Sequence, residues 1–502
     1  MYVIHSTQST PLRIDGQLKV SISIVFFTLT ILSRTLLFRA GVLHLAASMK
    51  FSILERRVLA IAAPAVVELL LTSLTSLVDT IMVGKLGAYA ISAVGLTTQP
   101  KFILLSVFVA LNVGTTALVA RFRGQNNKSD ADIVTVQSLF LTIGVAVILS
   151  VPGFLCARSA VLFMGAGPDT VDAAAGYFRI IMLGFVPTAL PLTISALLRG
   201  VGETRLSMRY SAAANIVNVI FNYLLIYGHF GFPRLGVEGA AIATVIGNCV
   251  ASGIALWAIL GPRFHRNGKR VSEFVELKLN RRTLTPDFPM LWRLLRVGLP
   301  SAAEQAALRV GLLMYTITIT GLGTAVFAAH QIVLTILNLS FVTGQAFGIA
   351  AASLAGQALG REDPEGAKAA AAASRRIGSV IATVMGILMF LFRQQLVSLF
   401  TNDQAIIALG VSIMILTALI QPFQSSFQIY AGALRGAGDS LYPAISLAVG
   451  ILIIRPVLSY VSITVFGWGL FGAWCALFVD QTVRFGMIRH RFNTGKWLVK
   501  KV

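Results

Sequence analysis

Two motifs of this chain are copies of each other, separated by 236 residues. The motif LRGVGET at Leu198–Thr204 recurs as LRGAGDS at Leu434–Ser440. Four pairs of identical residues have the same offset: Pro64 and Pro300, Glu68 and Glu304, Gly87 and Gly323, and Gly124 and Gly360. Repeated matches at one offset, with almost no insertion between them, indicate that the chain contains two copies of one structural unit.

The composition places both copies in a membrane. Of the 502 residues, 56% are hydrophobic and only 12% are charged, and the mean hydropathy is +0.80. A soluble domain has about 25% charged residues. Internal repeats in so apolar a chain are typical of transporters whose site lies between the repeats. The net charge of +21 does not indicate a nucleic-acid partner, because Lys and Arg occur in short clusters between apolar runs.

Twelve apolar runs are long enough to cross a bilayer, which takes about 20 helical residues. We therefore predict an all-α integral membrane protein with about twelve transmembrane helices, six in each repeat. The runs lie near 58–82, 92–120, 132–155, 174–198, 208–229, 237–261, 297–321, 327–357, 376–396, 409–434, 443–466 and 469–488. Runs two and eight are long for one span, so we expect them to be tilted or broken at Gly114 and Gly344.

The domain boundaries follow from these runs. An N-terminal extension (1–48) precedes the first repeat (49–261, helices 1–6). The basic segment 262–296 is a cytoplasmic linker, and 297–502 holds helices 7–12 and a basic tail. The apolar stretch of the extension has only twelve residues, too few for a span. The alternatives are an uncleaved signal-like segment and an interfacial helix. We expect the extension to be disordered or not part of the true protein, with Met49 as the start.

The distribution of basic residues predicts the orientation. From Met49 onward, one alternate set of loops and chain ends holds 29 Lys and Arg, whereas the other set holds four. Loops rich in Lys and Arg stay in the cytoplasm. Both termini and the linker are therefore expected there, in a multi-pass protein of the cytoplasmic membrane. Because six is an even number of spans, both repeats enter the membrane from the same side.

An ionisable residue inside a span is costly and marks a functional candidate. Asp79, near the end of the first run, is the leading one, since the other repeat has Tyr315 at the equivalent position. The alternative is a hydrated carboxylate at the membrane boundary. Asn218 and Asn222 are four residues apart and so share a helical face, where they could bind a small cation or join neighbouring helices. Thr244 offers another oxygen, or bonds back to its own helix.

Four charged residues inside the runs have other expected roles. Glu68 and Glu304 are duplicated, so we expect them to serve the fold by capping or pairing inside each repeat. Arg309 and Arg455 are intramembrane cations that must find partners.

The sequence contains no catalytic constellation. The LRG motifs lack the spacing of a phosphate loop; their glycines are expected to shape a turn that the Arg anchors. No Ser/His/Asp or HExxH arrangement occurs. The three cysteines, Cys156, Cys249 and Cys475, have no CxxC spacing. We expect neither an enzyme nor a cofactor.

Taken together, these residues resemble the multidrug and toxic compound extrusion (MATE) transporters of bacterial type. The segments that carry the resemblance extend from Met49 to about His490 and are VDTIMVGKLG, LRGVGET, NYLLIYG, GVEGAAIAT, GTAVFAAHQI and LRGAGDS. The resemblance implies two six-helix pseudo-symmetric lobes around a central cleft. It also implies export of amphipathic, often cationic, organic compounds or drugs by alternating access, in exchange for H+ or Na+.

The resemblance also implies a cation site in the amino-terminal lobe. Asp79 matches the first-span acid that couples transport to the ion. The other matching positions are Asn218, Asn222 and Thr244. Asn222 stands where some relatives have a second acid, so a two-acid relay is not expected. The acids of the NorM-like carboxy-terminal-lobe site are replaced by Leu308 and Gln424, which places this chain closer to the branch with the amino-terminal-lobe site.

The expected partners are the lipid bilayer and small-molecule substrates, and we expect a monomer. Candidate residues of the substrate cleft are Glu68, Glu304, Arg309, His330, Gln331, Gln424 and Arg455. We expect His330 to be packed and neutral, and Lys101 to reach an interface. The coupling ion stays open, because a buried carboxyl takes up a proton readily, whereas amide and hydroxyl oxygens around it suit Na+.

Three other classes of membrane protein are alternatives. A flippase for lipids or lipid-linked oligosaccharides of the same wider superfamily shares many helices but often has more spans and a strongly basic cavity, for which Arg309 and Arg455 are candidates. A membrane enzyme would need a polar catalytic cluster. A receptor would need a soluble sensor or effector domain, and the longest polar segment is the linker.

Overall fold

The computed structural model describes residues 52–260, 272 and 274–500. The expectation for residues 1–48 lies outside these ranges. Contacts divide the chain into two units, Met1–Arg56 and Arg57–Val502, and the packing below concerns the second. Within the described ranges the chain is almost entirely helical; it has no strand, and the one β-type contact is an isolated bridge between Leu260 and Leu277. The predicted all-α class is confirmed.

Twelve helical segments, α1–α12, make up most of the described chain, six in each half. The first six are α1 (Ile53–Gly84), α2 (Ala88–Gly124), α3 (Lys128–Leu155), α4 (Val171–Leu183 and Phe185–Val201), α5 (Thr204–Tyr227) and α6 (Gly236–Ile259). The others are α7 (Phe288–Thr320), α8 (Thr324–Gly360), α9 (Pro364–Leu391), α10 (Gln404–Gly436), α11 (Leu441–Ala448, the π-helical Val449–Ile454 and Arg455–Thr464) and α12 (Gly469–Asn493). Helix α7 begins at Phe288, inside the expected linker 262–296.

Most of these helices are long and apolar enough to cross a membrane. Among the described residues, nine qualify alone, and the two parts of α4, bent by 52°, make a tenth. Helices α7 and α12 fall short because charged residues interrupt their apolar stretches: Glu304 and Arg309 in α7, and Asp480 and Arg484 in α12. These two helices coincide with the seventh and twelfth apolar runs of the sequence.

The repeat extends to the backbone conformation. Helices α2 and α8 have 37 residues each, and the side chains of Asn127 and Asp363, 236 apart, cap α3 and α9. Such caps satisfy main-chain N–H groups that have no partner inside the helix. Left-handed residues also occur in pairs at this offset: Gly87 and Gly323, Asn126 and Glu362, and Gly202 and Gly438. The two halves therefore fold as copies of one unit.

Helices α2 and α8 are unbroken, so of the two expected alternatives, tilting or breaks at Gly114 and Gly344, the breaks do not occur. The glycines instead permit close helix packing. A Cβ on Gly114 would lie 2.2 Å from the carbonyl oxygen of Leu294 in α7, and one on Gly344 would lie 3.1 Å from Cα of Ser425 in α10.

Two other spans are irregular for identifiable reasons. The bend in α4 lies at Gly184, where a Cβ would be 2.3 Å from Val245 of α6. Pro187 has no N–H to give the carbonyl of Leu183, which is the last residue before the bend. In α11 the π-helical stretch ends directly before Arg455, which is followed by Pro456. A wider turn relieves the clash between a proline ring and the preceding helical turn.

The two halves meet at the ends of α2 and α8. A Cβ on Gly124 would lie 2.1 Å from the carbonyl oxygen of Gln357, and one on Gly360 would lie 2.1 Å from that of Arg121. Gly124 and Gly360 are equivalent positions of the repeat, so this crossing is itself pseudo-symmetric. Only glycine fits there without moving a backbone.

Substitution of Gly360 by alanine should destabilise this crossing. The added methyl group overlaps main-chain atoms that cannot rotate away, and overpacking of this kind costs about 1–3 kcal/mol. We expect Gly360→Ala to lower the thermal unfolding temperature of the purified protein. The matched control is Gly144→Ala in α3, where a Cβ has nothing within 4 Å. Equal unfolding temperatures for the two variants would contradict the close approach of α2 and α8.

Candidate functional site

The structure brings together the four residues predicted to form a cation site, in the half comprising α1–α6 (the N-lobe). Asp79 lies near the end of α1, Asn218 and Asn222 in α5, and Thr244 in α6. Asn222 Nδ2 donates to Asp79 Oδ1 at 2.5 Å. With its nitrogen facing the carboxylate, the Asn218 amide donates to the same oxygen at 2.9 Å. The Asn218 oxygen then lies 3.3 Å from Thr244 Oγ1, whose hydroxyl donates to the carbonyl of Ala240 in its own helix at 2.9 Å. The two asparagines are buried, whereas Asp79 and Thr244 are half-buried.

Small residues on α6 bring Thr244 within reach of α5. Gly239, Ala243 and Gly247 recur every four residues and so form one face of the helix. A Cβ on Gly239 would lie 2.6 Å from the carbonyl oxygen of Leu225, and one on Gly247 would lie 2.9 Å from that of Ala214. Stripes of small residues let membrane helices approach closely. The close packing of α5 on α6 therefore fixes the Asn218–Thr244 contact.

The cluster offers one carboxylate and several neutral oxygens. The buried Asn222 Oδ1 has no hydrogen-bond partner, so this oxygen is available to a cation. Hard oxygen ligands of this kind suit small cations of the alkali and alkaline-earth type. Among the residues that the structure describes, no three His, Cys, Asp or Glu side chains group together as a metal site.

Lys101 lies in the surroundings of Asp79. This proximity was not predicted from the sequence. Lys101 is half-buried in α2 and interacts electrostatically with Asp79. Tyr177 of α4 is a second neighbour of the carboxylate. A lysine inside an apolar run was the available signal, but only the fold shows that it lies near Asp79.

Arg309 reaches across to the N-lobe from the half comprising α7–α12 (the C-lobe). Its guanidinium lies 4.8 Å from the ring centroid of Phe102 in α2. The Lys101 ammonium lies 5.7 Å from the same centroid. Arg309 Nε has no hydrogen-bond partner in the described chain. The partner of Arg309 is therefore an aromatic face rather than a carboxylate.

The duplicated glutamates pair with the arginines of the LRG motifs. In the N-lobe Arg199 Nη2 lies 2.9 Å from Glu68 Oε1, and in the C-lobe Arg435 Nη2 lies 2.5 Å from Glu304 Oε1. Hydroxyls of the same motifs donate to main-chain carbonyls of α1 and α7: Thr204 to Ile61, and Ser440 to Val297. Each LRG motif thus binds the first helix of its own lobe. Both glutamates are buried, with their charges compensated inside the protein.

The C-lobe contains a buried ion cluster where α11 meets α12. Asp480 Oδ2 accepts from Arg455 Nε at 2.9 Å and Nη2 at 2.5 Å, and from Arg484 Nη2 at 2.6 Å. The Arg455 guanidinium also lies 5.2 Å from the ring centroid of Tyr315, which occupies the position equivalent to Asp79. Sequence reasoning missed Asp480 and Arg484, although Asp480 is the one acid in the twelfth apolar run.

The remaining candidates of the substrate cleft are His330, Gln331 and Gln424, and their surroundings differ. His330 is 1% exposed and packs edge-on against Tyr315 and Trp474. Gln424 is buried and its Oε1 has no partner, whereas Gln331 is exposed. The structure does not join these residues into one polar site.

Comparisons with known proteins agree with the two-copy repeat of the chain. A family model described as MatE matches residues 64–224 and again 300–461, two segments whose starts are 236 residues apart. The "Probable multidrug resistance protein NorM" of Thermotoga maritima is 29% identical over 444 residues, which cover 88% of this chain and 93% of that protein. The "Multidrug resistance protein PmpM" of Pseudomonas aeruginosa is 30% identical over 390 residues, covering 77% and 79%.

A solved structure shows the same fold. The "Crystal structure of MATE in the bent conformation" superposes with a TM-score of 0.80 at 23% identity and covers 89% of this chain and 97% of that one. The predicted arrangement in two six-helix lobes is confirmed. Members of the matching family are transporters, not enzymes. The chain belongs to the MATE family of multidrug efflux transporters.

Proposed function

We propose that this protein is a secondary active antiporter that exports amphipathic, often cationic, organic compounds in exchange for H+ or Na+. The observation that carries the proposal is the half-buried carboxylate of Asp79, which the side-chain amides of Asn222 and Asn218 hydrogen-bond, with Thr244 next to Asn218. An ionisable group at such a place in a membrane protein is costly, which favours a functional role. The relatives described as multidrug resistance proteins support drug-like substrates.

The mechanism requires that ion and substrate favour opposite-facing states. A ligand shifts a conformational equilibrium only by its different affinity for the two states. A cation at Asp79 neutralises the carboxylate and withdraws its attraction for a cationic substrate. Without the cation, Asp79 is again a charge that a cationic substrate can compensate. Exchange follows if the cation arrives from outside and the substrate from inside.

Within the described residues, the N-lobe offers the residues for this exchange and the C-lobe lacks their equivalents. In the C-lobe Tyr315 replaces Asp79, and the nearby acid, Asp480, is already bound by two arginines. Leu308 and Gln424 stand where the NorM-like branch carries its acids. We therefore place coupling at Asp79, in a branch with an amino-terminal-lobe site, with one cation site per chain.

We also propose a monomer in the cytoplasmic membrane with both termini in the cytoplasm. The orientation is supported by the distribution of Lys and Arg, 29 on one side and four on the other. Arg199, Arg435 and Arg484 belong to the larger group but bind carboxylates inside the helices. Without these three arginines, the loops on one side still contain many more Lys and Arg than those on the other. The positive-inside rule therefore still favours this orientation.

The charges near the cleft favour antiport over the alternative of a lipid or lipid-linked-oligosaccharide flippase. Such flippases often have a strongly basic cavity. Arg455 is 4% exposed and paired with Asp480, so it is not available to a headgroup. The positive charge of Lys101 is partly compensated by Asp79. Of the basic residues considered for the cavity, Arg309 remains, and its guanidinium lies on the face of Phe102. One cation is a weak basis for a phosphate-binding cavity.

Transport of ethidium into proteoliposomes tests the proposal. Purified protein is reconstituted, and a proton gradient and a sodium gradient are imposed separately. We expect dye to move against its own gradient under one of the two and to stop when an ionophore dissipates that gradient. Protein-free liposomes are the control. Movement that is independent of both gradients would argue against antiport, and transport of a fluorescent lipid instead of the dye would favour the flippase.

A further inference from the structure

A carbonyl oxygen of the N-lobe is bound by side chains of the C-lobe. Carbonyls in the last turn of a helix have no partner inside that helix. At the end of α4, the following turn binds the carbonyls of Leu198 and Arg199 through main-chain N–H groups. The next carbonyl, of Gly200, accepts from Ser353 Oγ at 3.1 Å and from Gln357 Nε2 at 3.0 Å, both in α8. A contact between the lobes thus completes this helix end.

The two donors are joined to each other and buried. Gln357 Nε2 also donates to Ser353 Oγ at 3.0 Å, so the amide, the hydroxyl and the Gly200 carbonyl form a triangle. Ser353 is fully buried and Gln357 is 6% exposed. Beside them, a Cβ on Gly356 would lie 2.7 Å from the Cβ of Ala120 in α2. The triangle therefore lies at the crossing of α2 and α8, at the end of the molecule that we place in the cytoplasm.

The repeat-equivalent side chain of α2 also crosses to the other lobe. At the offset of 236, Gln357 corresponds to Arg121. Arg121 Nη2 donates at 3.2 Å to the main-chain oxygen of Lys500, in the segment 494–500 that follows α12. Trp497 fixes this segment to the C-lobe: its side chain is fully buried and stacks on Phe492 of α12, with 5.3 Å between the ring centroids. Each lobe thus reaches the other through the same position of the repeat.

We propose that Gln357 and Ser353, together with Arg121 and the segment 494–500, form a lock that holds the two lobes together on the cytoplasmic side. This inference rests on the proposed antiport and its orientation, and it adds the contacts that control access from the cytoplasm. While the lock is closed, no substrate enters the cleft from that side. Loading from the cytoplasm requires the hydrogen bonds of Gln357, Ser353 and Arg121 between the lobes to break.

The closed and open states of the lock differ in what satisfies the Gly200 carbonyl. With the lobes together, this carbonyl is buried and depends on Ser353 and Gln357. With the lobes apart, cytoplasmic water reaches it. One intramolecular hydrogen bond that replaces a bond to water changes an equilibrium constant by about fivefold. Contacts of this strength hold the lobes together and still allow them to separate in each transport cycle, and the loss of a donor weakens the closed state alone.

Distances between spin labels at the ends of α2 and α8 test the proposal. Gln125→Cys and Arg361→Cys lie at exposed, repeat-equivalent positions directly after these helices. They carry the labels once the three native cysteines have been replaced by alanine. Pulsed electron paramagnetic resonance of the full-length protein in lipid nanodiscs then gives the ratio of long to short distances, which measures how often the lock is open.

Gln357→Leu nearly keeps the volume of the side chain but removes the donor, and it should raise this ratio about fivefold. Ser353→Ala, the second variant should the first not fold, should raise the ratio as well. Arg121→Met added to Gln357→Leu should raise it further, because both arms of the lock are then lost. The matched control is Gln421→Leu, which should keep the wild-type ratio. Gln421 is also buried, but its Oε1 accepts from Ser340 inside the C-lobe.

An unchanged ratio in the double variant Gln357→Leu with Arg121→Met would overturn the lock, and so would an equal rise in Gln421→Leu. Ethidium transport by the labelled but otherwise unaltered protein separates this outcome from a failure of the antiport. If that protein transports ethidium under a gradient while the ratio is the same in every variant, the lock alone is wrong. If the ratio responds to Gln357→Leu but neither gradient drives transport, the proposed antiport is wrong, and the lock is a contact that controls the opening of the lobes for another purpose.

Discussion

Replacement of Asp79 by asparagine should abolish gradient-driven efflux while leaving the protein folded. Asparagine has nearly the same shape and keeps an oxygen for the hydrogen bond from Asn222, but it neither takes up a proton nor balances the charge of Na+. In proteoliposomes we expect ethidium transport under the productive gradient to fall to the level of protein-free liposomes. The unfolding temperature should change little, and the cation-dependent stabilisation should disappear.

Asp172→Asn is the matched control for this experiment. Asp172 lies in α4, its side chain is 78% exposed, and it pairs with an exposed Arg158. Surface ion pairs of this kind contribute about 0–1 kcal/mol, so this variant should transport like the wild type. Efflux that persists in Asp79→Asn at wild-type rates would remove the N-lobe site from the mechanism.

The features that could be predicted from the sequence are those repeated at one offset. Pro64 and Pro300, or the two LRG motifs, indicate a duplicated unit because the same residue type recurs where the same backbone geometry is needed. Twelve apolar runs indicated the helices because a bilayer demands length and hydrophobicity. The cluster around Asp79 could be anticipated because its acid is absent from the second copy, where Tyr315 stands.

The contacts that could not be predicted join residues far apart in sequence. Glu68 and Arg199 are separated by 131 positions, and nothing in either local sequence specifies the other. From the sequence, Lys101 resembled a residue that reaches the membrane interface. Its proximity to Asp79 could not be predicted, because it depends on how α2 packs against α1. Gly114 resembled a helix breaker, whereas in the structure it admits the backbone of α7. Local patterns determine helices, but tertiary packing determines which polar groups meet.

The substitution with the largest expected effect on stability is Asp480→Asn. Asp480 is fully buried and its Oδ2 is bound by Arg455 and Arg484. The amide removes the negative charge and leaves two guanidinium groups, both about 4% exposed, close together without a counter-ion. Breaking a buried ion pair by removing one partner costs about 3–5 kcal/mol. We expect a strongly reduced yield of folded protein and a much lower unfolding temperature.

The double variant Asp480→Asn with Arg455→Met distinguishes charge imbalance from lost packing. Removing one arginine together with the acid restores the net charge of the cluster, so the double variant should be more stable than Asp480→Asn alone, although each change removes contacts. Asp403→Asn is the matched single control, since Asp403 is exposed and caps α10 with a side chain that asparagine replaces well. Two outcomes would mean that the buried cluster does not hold α11 and α12 together electrostatically. One is that Asp480→Asn unfolds at the same temperature as Asp403→Asn. The other is that the losses of stability from the two single changes simply add in the double variant. If the double variant recovers, the C-lobe charge network is a structural element that joins α11 and α12.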